Sequence, residues 1–309
     1  CDWSSDVCSS DLNDFSKGDL IMRKVLLATT ALVAMSVTGA QAEVSVSGNA
    51  EYHYTQPSTG ANLSEMDGNI TIKGSSTADS GVTYGVVYNQ SVGQSNAGAD
   101  GGTVDVEDIY LNISGDFGRV FLGQTDNALD VMDGMTGNNM TIEGHTASVL
   151  STALASEEDL PTVNFISPSV SGVQFYGQVD DTGGNTGFGA NYTHSMGKLG
   201  YQSLSGGGTD VTMVMGSISV AGVTIGAASR DTDTSGTKTT GSDIGVNYSV
   251  GDILLSAVSQ KSSDGAKTQT FGAQYTVAPG VYAQIEQVSD RTNAAVDSTS
   301  TFMALGIKF

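Results

Sequence analysis

Beyond position 8 the chain has no cysteine, and beyond position 3 no tryptophan. Cys1 and Cys8 could close only a trivial terminal loop, so neither a disulfide framework nor a zinc site is expected. Proline is scarce, with four residues. Bases are scarcer still relative to acids, 12 against 33, giving a net charge of −21. That balance excludes nucleic acid as a partner, because phosphate binding needs clustered Lys and Arg. It suits cations, or a surface that must stay wetted. Disorder is excluded as well, since charged residues make up only 15% of the chain and hydrophobic ones 39%. No metalloprotease HExxH and no phosphate-binding P-loop occurs. His145 near Glu143 and His194 beside Ser195 lack a third catalytic member, so the chain does not read as an enzyme.

One apolar run exists, and it lies near the N-terminus. From Met22 the chain reads MRKVLLATTALVAMSVTGAQA: a basic start, an apolar stretch from Val25 to Val37, and a small-x-small cleavage site at Ala40-Gln41-Ala42. This is the form of a secretory signal peptide, residues 22–42, and it is short for a membrane helix. The first twelve residues, CDWSSDVCSSDL, back-translate to a string resembling a common sequencing-adapter oligonucleotide. Residues 13–21 read as translated upstream leader, so 1–21 are expected to be non-native. The folded domain is expected to span 43–309.

Within that domain, alternation dominates over helical periodicity. Val44, Val46, Ala50, Tyr52 and Tyr54 alternate with Ser45, Ser47, Asn49, Glu51 and His53. The same period of two recurs from Val82 to Tyr88, Ile109 to Ile113, Ile244 to Val250 and Met303 to Phe309. Short turns are expected at 78–81, 115–118, 167–172, 196–198, 221–222, 251–252 and 278–280. Between them come polar loops near 57–64, 93–103, 129–160, 181–186, 205–209, 231–241, 262–267 and 289–297. These connections imply sixteen strands, at about 17 residues per strand with its connection, enough for a tilted membrane strand. An even count with turns at one end and loops at the other predicts an all-β fold: a 16-stranded antiparallel transmembrane β-barrel. Closure follows from physics, since lipid offers no hydrogen-bond partner to an open sheet edge. The rival of another class is a secreted acidic β-rich adhesin or surface protein, which would want a sandwich core and no length alternation.

Three segments resemble the general diffusion porins of Gram-negative bacteria, the alphaproteobacterial type above all. They are EDIYLNISGDFGRVFLGQTD at 107–126, NFISPSVSGVQFYGQV at 164–179, and the terminal TFMALGIKF. The resemblance implies a water-filled outer-membrane channel for passive diffusion of small hydrophilic solutes, a homotrimer embedded in outer-membrane lipid. It also implies a third loop folded into the lumen, and a C-terminal Phe309 read by the barrel-assembly machinery. A substrate-specific channel is the related alternative.

The third loop, 129–160, and its approach carry Asp126, Asp130, Asp133, Glu143, Glu157, Glu158 and Asp159 and no base. Carboxylates in a low-dielectric constriction favour cations, so a cation preference is expected. By parity Glu51, His53, Lys73 and Arg230 face the lumen, with Arg119 beside a turn. The resemblance implies an arginine cluster opposing the loop, and this sequence departs from that pattern. No cofactor or dedicated metal site is expected, although hard loop carboxylates could hold Ca²⁺ loosely.

Overall fold

The computed structural model describes residues 42–95, 103–125, 128–142, 161–180, 184–292 and 296–309. The expected leader and nearly all of the expected signal peptide lie outside these. Sixteen strands follow in chain order: β1 (Glu43–Pro57), β2 (Leu63–Thr77), β3 (Thr83–Ser95), β4 (Thr103–Gly115), β5 (Gly118–Gln124), β6 (Pro161–Ile166), β7 (Val173–Asp180) and β8 (Asn185–His194). The second half comprises β9 (Gly197–Gly206), β10 (Thr209–Val220), β11 (Val223–Thr234), β12 (Thr237–Val250), β13 (Ile253–Ser262), β14 (Lys267–Ala278), β15 (Val281–Thr292) and β16 (Val296–Lys308).

Each strand pairs antiparallel with its sequence neighbours, and β1 closes on β16 in the register Asn49↔Lys308 through Pro57↔Ser300. The last residue completes that seam: Gly48 N donates to the Phe309 carbonyl and Phe309 N to the Gly48 carbonyl, each at 3.0 Å. No sheet edge remains open, as a hydrocarbon environment demands.

Alternation decides facing. Val44, Tyr52, Ile70, Val214, Leu199 and Leu305 all point outward and stand exposed, Leu199 at 64%. So much exposed apolar surface would be a liability in water and is what lipid requires. Tyr84, Phe117, Tyr192, Tyr248, Tyr275 and Phe309 face outward near the ends bearing the short turns, forming one aromatic girdle.

Two expected outer loops are instead two-residue turns, because β9 and β11 run further than their polar sequences suggest. Gly207-Gly208 joins β9 to β10, and Ser235-Gly236 joins β11 to β12. In the second, Ser235 at φ 51° and Gly236 at φ 88° supply the left-handed pair that a tight hairpin needs. Length alternation is therefore weaker than the composition implies. It is carried above all by the connection between β5 and β6.

β5 and β6 are the shortest strands, with 7 and 6 residues. The chain leaves the wall after Gln124 and turns into the lumen. There it forms two 3₁₀ turns, Asp130–Met135 and Asn138–Met140. An apolar cluster is buried between this loop and the inner wall. Leu129, Met132 and Met135 pack with Phe121, Tyr176, Leu204, Val211, Met213 and Met215.

Candidate pore constriction

The loop is fastened to the wall by side chains that face the lumen. Ala128 N donates to Asn164 Oδ1 of β6 at 2.7 Å. Further along, Gly137 N donates to Asp243 Oδ1 of β12 at 2.6 Å, and Ile142 N to Glu286 Oε2 of β15 at 2.8 Å. Asn164 and Glu286 are fully buried and Asp243 nearly so. A carboxylate accepting a backbone N–H makes one of the stronger hydrogen bonds available, and here it does so away from water. Within the loop, Thr136 stops the first turn: its N and Oγ1 both donate to the Asp133 carbonyl, at 2.9 and 2.8 Å.

Glycines clear the track along which the loop lies. A Cβ at Gly189 would meet Met132 Cε at 2.5 Å and Leu129 Cδ2 at 2.6 Å. At Gly245 it would collide with the Gly137 carbonyl. Sequence reading missed this arrangement, since the anchors lie 36, 106 and 144 residues from their partners in the chain.

Of the expected loop acids, Asp130 and Asp133 sit on the first 3₁₀ turn, both half-buried. Asp126, Glu143, Glu157, Glu158 and Asp159 lie outside the described residues. Arg230 faces inward on β11 between Met213 and Gly241, on the same side of the barrel as the loop. Its Nη1 has no hydrogen-bond partner among the described residues.

The wall of β1 to β4, away from the described part of the loop, is acidic. Glu51, Glu65 and Asp67 face the lumen, and His53 Nε2 lies 2.9 Å from Glu51 Oε2. Asn89 Nδ2 donates to Asp108 Oδ2 at 3.2 Å. A bulge at Asn89/Gln90 then resets the parity of β4 and turns Asp105 inward, so that simple alternation misreads this strand. Asp67, Ser91, Asp105 and Glu107 border an open hollow of about 440 Å³. Carboxylates thus stand on both sides of the lumen where a transverse field would need arginines on one.

Tyr282 of β15 passes over Gly306, and its hydroxyl donates to Glu51. Lys73, Arg119, Lys198 and Lys308 face inward near the short-turn end. Among the described residues no group of three or more His, Asp or Glu is arranged to hold a metal ion.

A closed barrel with an apolar exterior, a polar acidic interior and a loop folded into its lumen defines an outer-membrane channel protein. The chain belongs to the Gram-negative porin family, whose sequence pattern matches residues 28–308. Solved structures share the fold at low identity. A triple mutant of the Rhodopseudomonas blastica porin matches with a TM-score of 0.67 at 17% identity, covering 86% of this chain and 100% of that one. A loop-deletion mutant of OmpT, an outer membrane protein of Vibrio cholerae, matches with a TM-score of 0.69 at 12% identity, covering 87% and 99%. No curated protein matches the chain significantly in sequence. Its place is the bacterial outer membrane.

Proposed function

We propose that this porin passes small hydrophilic solutes and ions by passive diffusion and prefers cations. The carrying observation is the acidity of the described wall: Glu51, Glu65, Asp67 and Asp108 stand on the lumen face of β1, β2 and β4, and the loop adds Asp130 and Asp133 on its first 3₁₀ turn. Arg230 is the one base among the described residues that faces the lumen on the outer half of the wall. Fixed negative charge bordered by low-dielectric walls raises local cation concentration and repels anions. A dedicated substrate channel would want an aromatic or basic ladder along the wall. The polar wall positions are instead mostly Asn, Gln, Ser and Thr, among them Asn69, Asn89, Gln178, Gln202, Gln260 and Thr270.

A homotrimer, and recognition of Phe309 by the assembly machinery, belong to the same reading. Phe309 fits the latter role because its backbone closes the seam while its ring stands exposed on the outside.

One planar-bilayer recording tests the proposal. In a tenfold KCl gradient the reversal potential should carry the sign of a cation-selective pore, and conductance should come in triplet steps. An anion-selective reversal potential would overturn the selectivity assignment, and single steps the trimer.

A further inference from the structure

Four of the five lumen-facing bases of the described wall are gathered at one end. Lys73 pairs with Ser45, near the start of β1, and Arg119 follows the β4–β5 turn directly. Lys198 follows the β8–β9 turn, and Lys308 is the penultimate residue, opposite Asn49. The short turns mark this as the periplasmic mouth. None of the four has a carboxylate within ion-pair distance among the described residues. Arg119 is held by Asn112 Oδ1 and lies 4.6 Å from the centre of the Phe121 ring. Lys308 Nζ lies 5.0 Å from the centre of the Tyr282 ring. These contacts orient the cations without neutralising them.

The carboxylates at this end, Glu43, Asp79, Asp116 and Asp252, are exposed on the turns or on the first residue of β1, outermost in bulk water. Immediately further in, the sign of the wall reverses. On β2 the lumen-facing positions run Lys73, Thr71, Asn69, Asp67, Glu65. The change is complete within about 20 Å of strand. On β1, Glu51 is the next lumen-facing residue above Asn49, the partner of Lys308. Lys308, Lys73, Arg119 and Lys198 lie on β16, β2, β5 and β9, and so spread over about half the circumference.

We propose that this arc is an anion-attracting vestibule in series with the acidic section, which makes the channel electrically asymmetric along its axis. The inference rests on the acidic section of the proposed function but concerns the opposite charge at the other end. Its direction follows from ion flow. With the extracellular side positive, cations enter through the acidic section while anions enter through the basic mouth. Both accumulate at the junction, and conductance rises. Reversing the voltage depletes the junction of both, and conductance falls. A polyvalent anion arriving from the periplasm meets the cationic arc first, whereas one arriving from outside meets carboxylates first.

The test is a current–voltage curve on single channels in 0.1 M KCl, with orientation assigned by an antibody to an epitope inserted at the Ser235-Gly236 turn. Current should be larger with the extracellular side positive. In 1 M KCl the ratio should fall towards one, because the screening length shrinks from about 10 Å to about 3 Å. Inorganic tripolyphosphate should block from the periplasmic side at about tenfold lower concentration than from the other. In K73Q/R119Q/K198Q/K308Q both asymmetries should vanish while cation selectivity rises. The pair K198Q/K308Q, which leaves Arg119 and its ring contact in place, should reduce both by about half. A symmetric curve with equal block from both sides in a cation-selective wild-type channel would overturn this inference alone. An anion-selective reversal potential would overturn the reading it rests on. Asymmetries undiminished from wild type in either variant would also refute the arc.

Discussion

Replacing Asp243 by alanine removes the acceptor for Gly137 N at a nearly buried site, leaving that amide without its 2.6 Å partner. A hydrogen bond to a charged group contributes about 1.5–3 kcal/mol net, so the ratio of docked to undocked loop should fall by about 10- to 150-fold. The strand ladder is untouched, because Asp243 reaches the loop through its side chain alone. Barrel stability, read as heat-modifiable migration in detergent, should therefore stay as it is. What should change is the open-channel current: bursts of flicker as the Gly137 segment leaves the wall, and faster amide exchange at Gly137. Asp243→Asn keeps an oxygen in place and should restore most of the protection, while lowering cation selectivity slightly. Flicker and exchange in Asp243→Ala equal to wild type would refute the anchoring role. A loss of heat-modifiability would show that Asp243 holds the barrel rather than the loop.

Gly189→Val should force Met132 and Leu129 off the inner wall, at an overpacking cost of about 1–3 kcal/mol. The displaced loop has only the lumen to enter, so single-channel conductance should drop, and an unchanged value would reject the glycine track. Asp264, in the outer turn between β13 and β14, accepts from Ala266 N at 3.1 Å, and this bond, with one from Ser262, holds its carboxyl below the ordinary aspartate range. A depressed folded-state pKa means the turn's extra stability is present above the unfolded pKa and lost as pH falls through the folded one. Carboxyl titration by NMR should give a midpoint below that of a free aspartate, with Ala266 exchange accelerating over the same range; a normal midpoint would contradict the turn geometry.

Strand number and facing were legible because each lipid-facing position must be apolar and its neighbours need not be. Val44 to Tyr54 and Met303 to Phe309 show that rule without interruption. The turns at Gly207-Gly208 and Ser235-Gly236 were not legible. Outside the lipid the flanking strand residues, such as Thr232, Asp233, Thr237 and Lys238, are as polar as a loop, and only pairing distinguishes them. The acidity of the loop was plain, but its underside was not. Leu129, Met132 and Met135 find burial against inner-wall residues such as Met213 and Met215, which alternation assigns to a wetted lumen. Nothing in the sequence marks Glu286, and only the fold brings Ile142 to it. Asp105 was hidden by a bulge that no period of two contains.

The seam between β1 and β16 has a consequence for how this protein comes into being. Fifteen of the sixteen strand pairings join consecutive strands and can form as a hairpin zipper. The sixteenth joins Gly48 to Phe309, and its closure entropy, scaling with the logarithm of the intervening chain, is about 5 kcal/mol. Until β16 pairs with β1 the sheet therefore carries two naked edges, neither of which can be buried in lipid. Closure is therefore a single late event that waits on the β1–β16 pairing, and a chain lacking β16 is an open ribbon rather than a smaller pore.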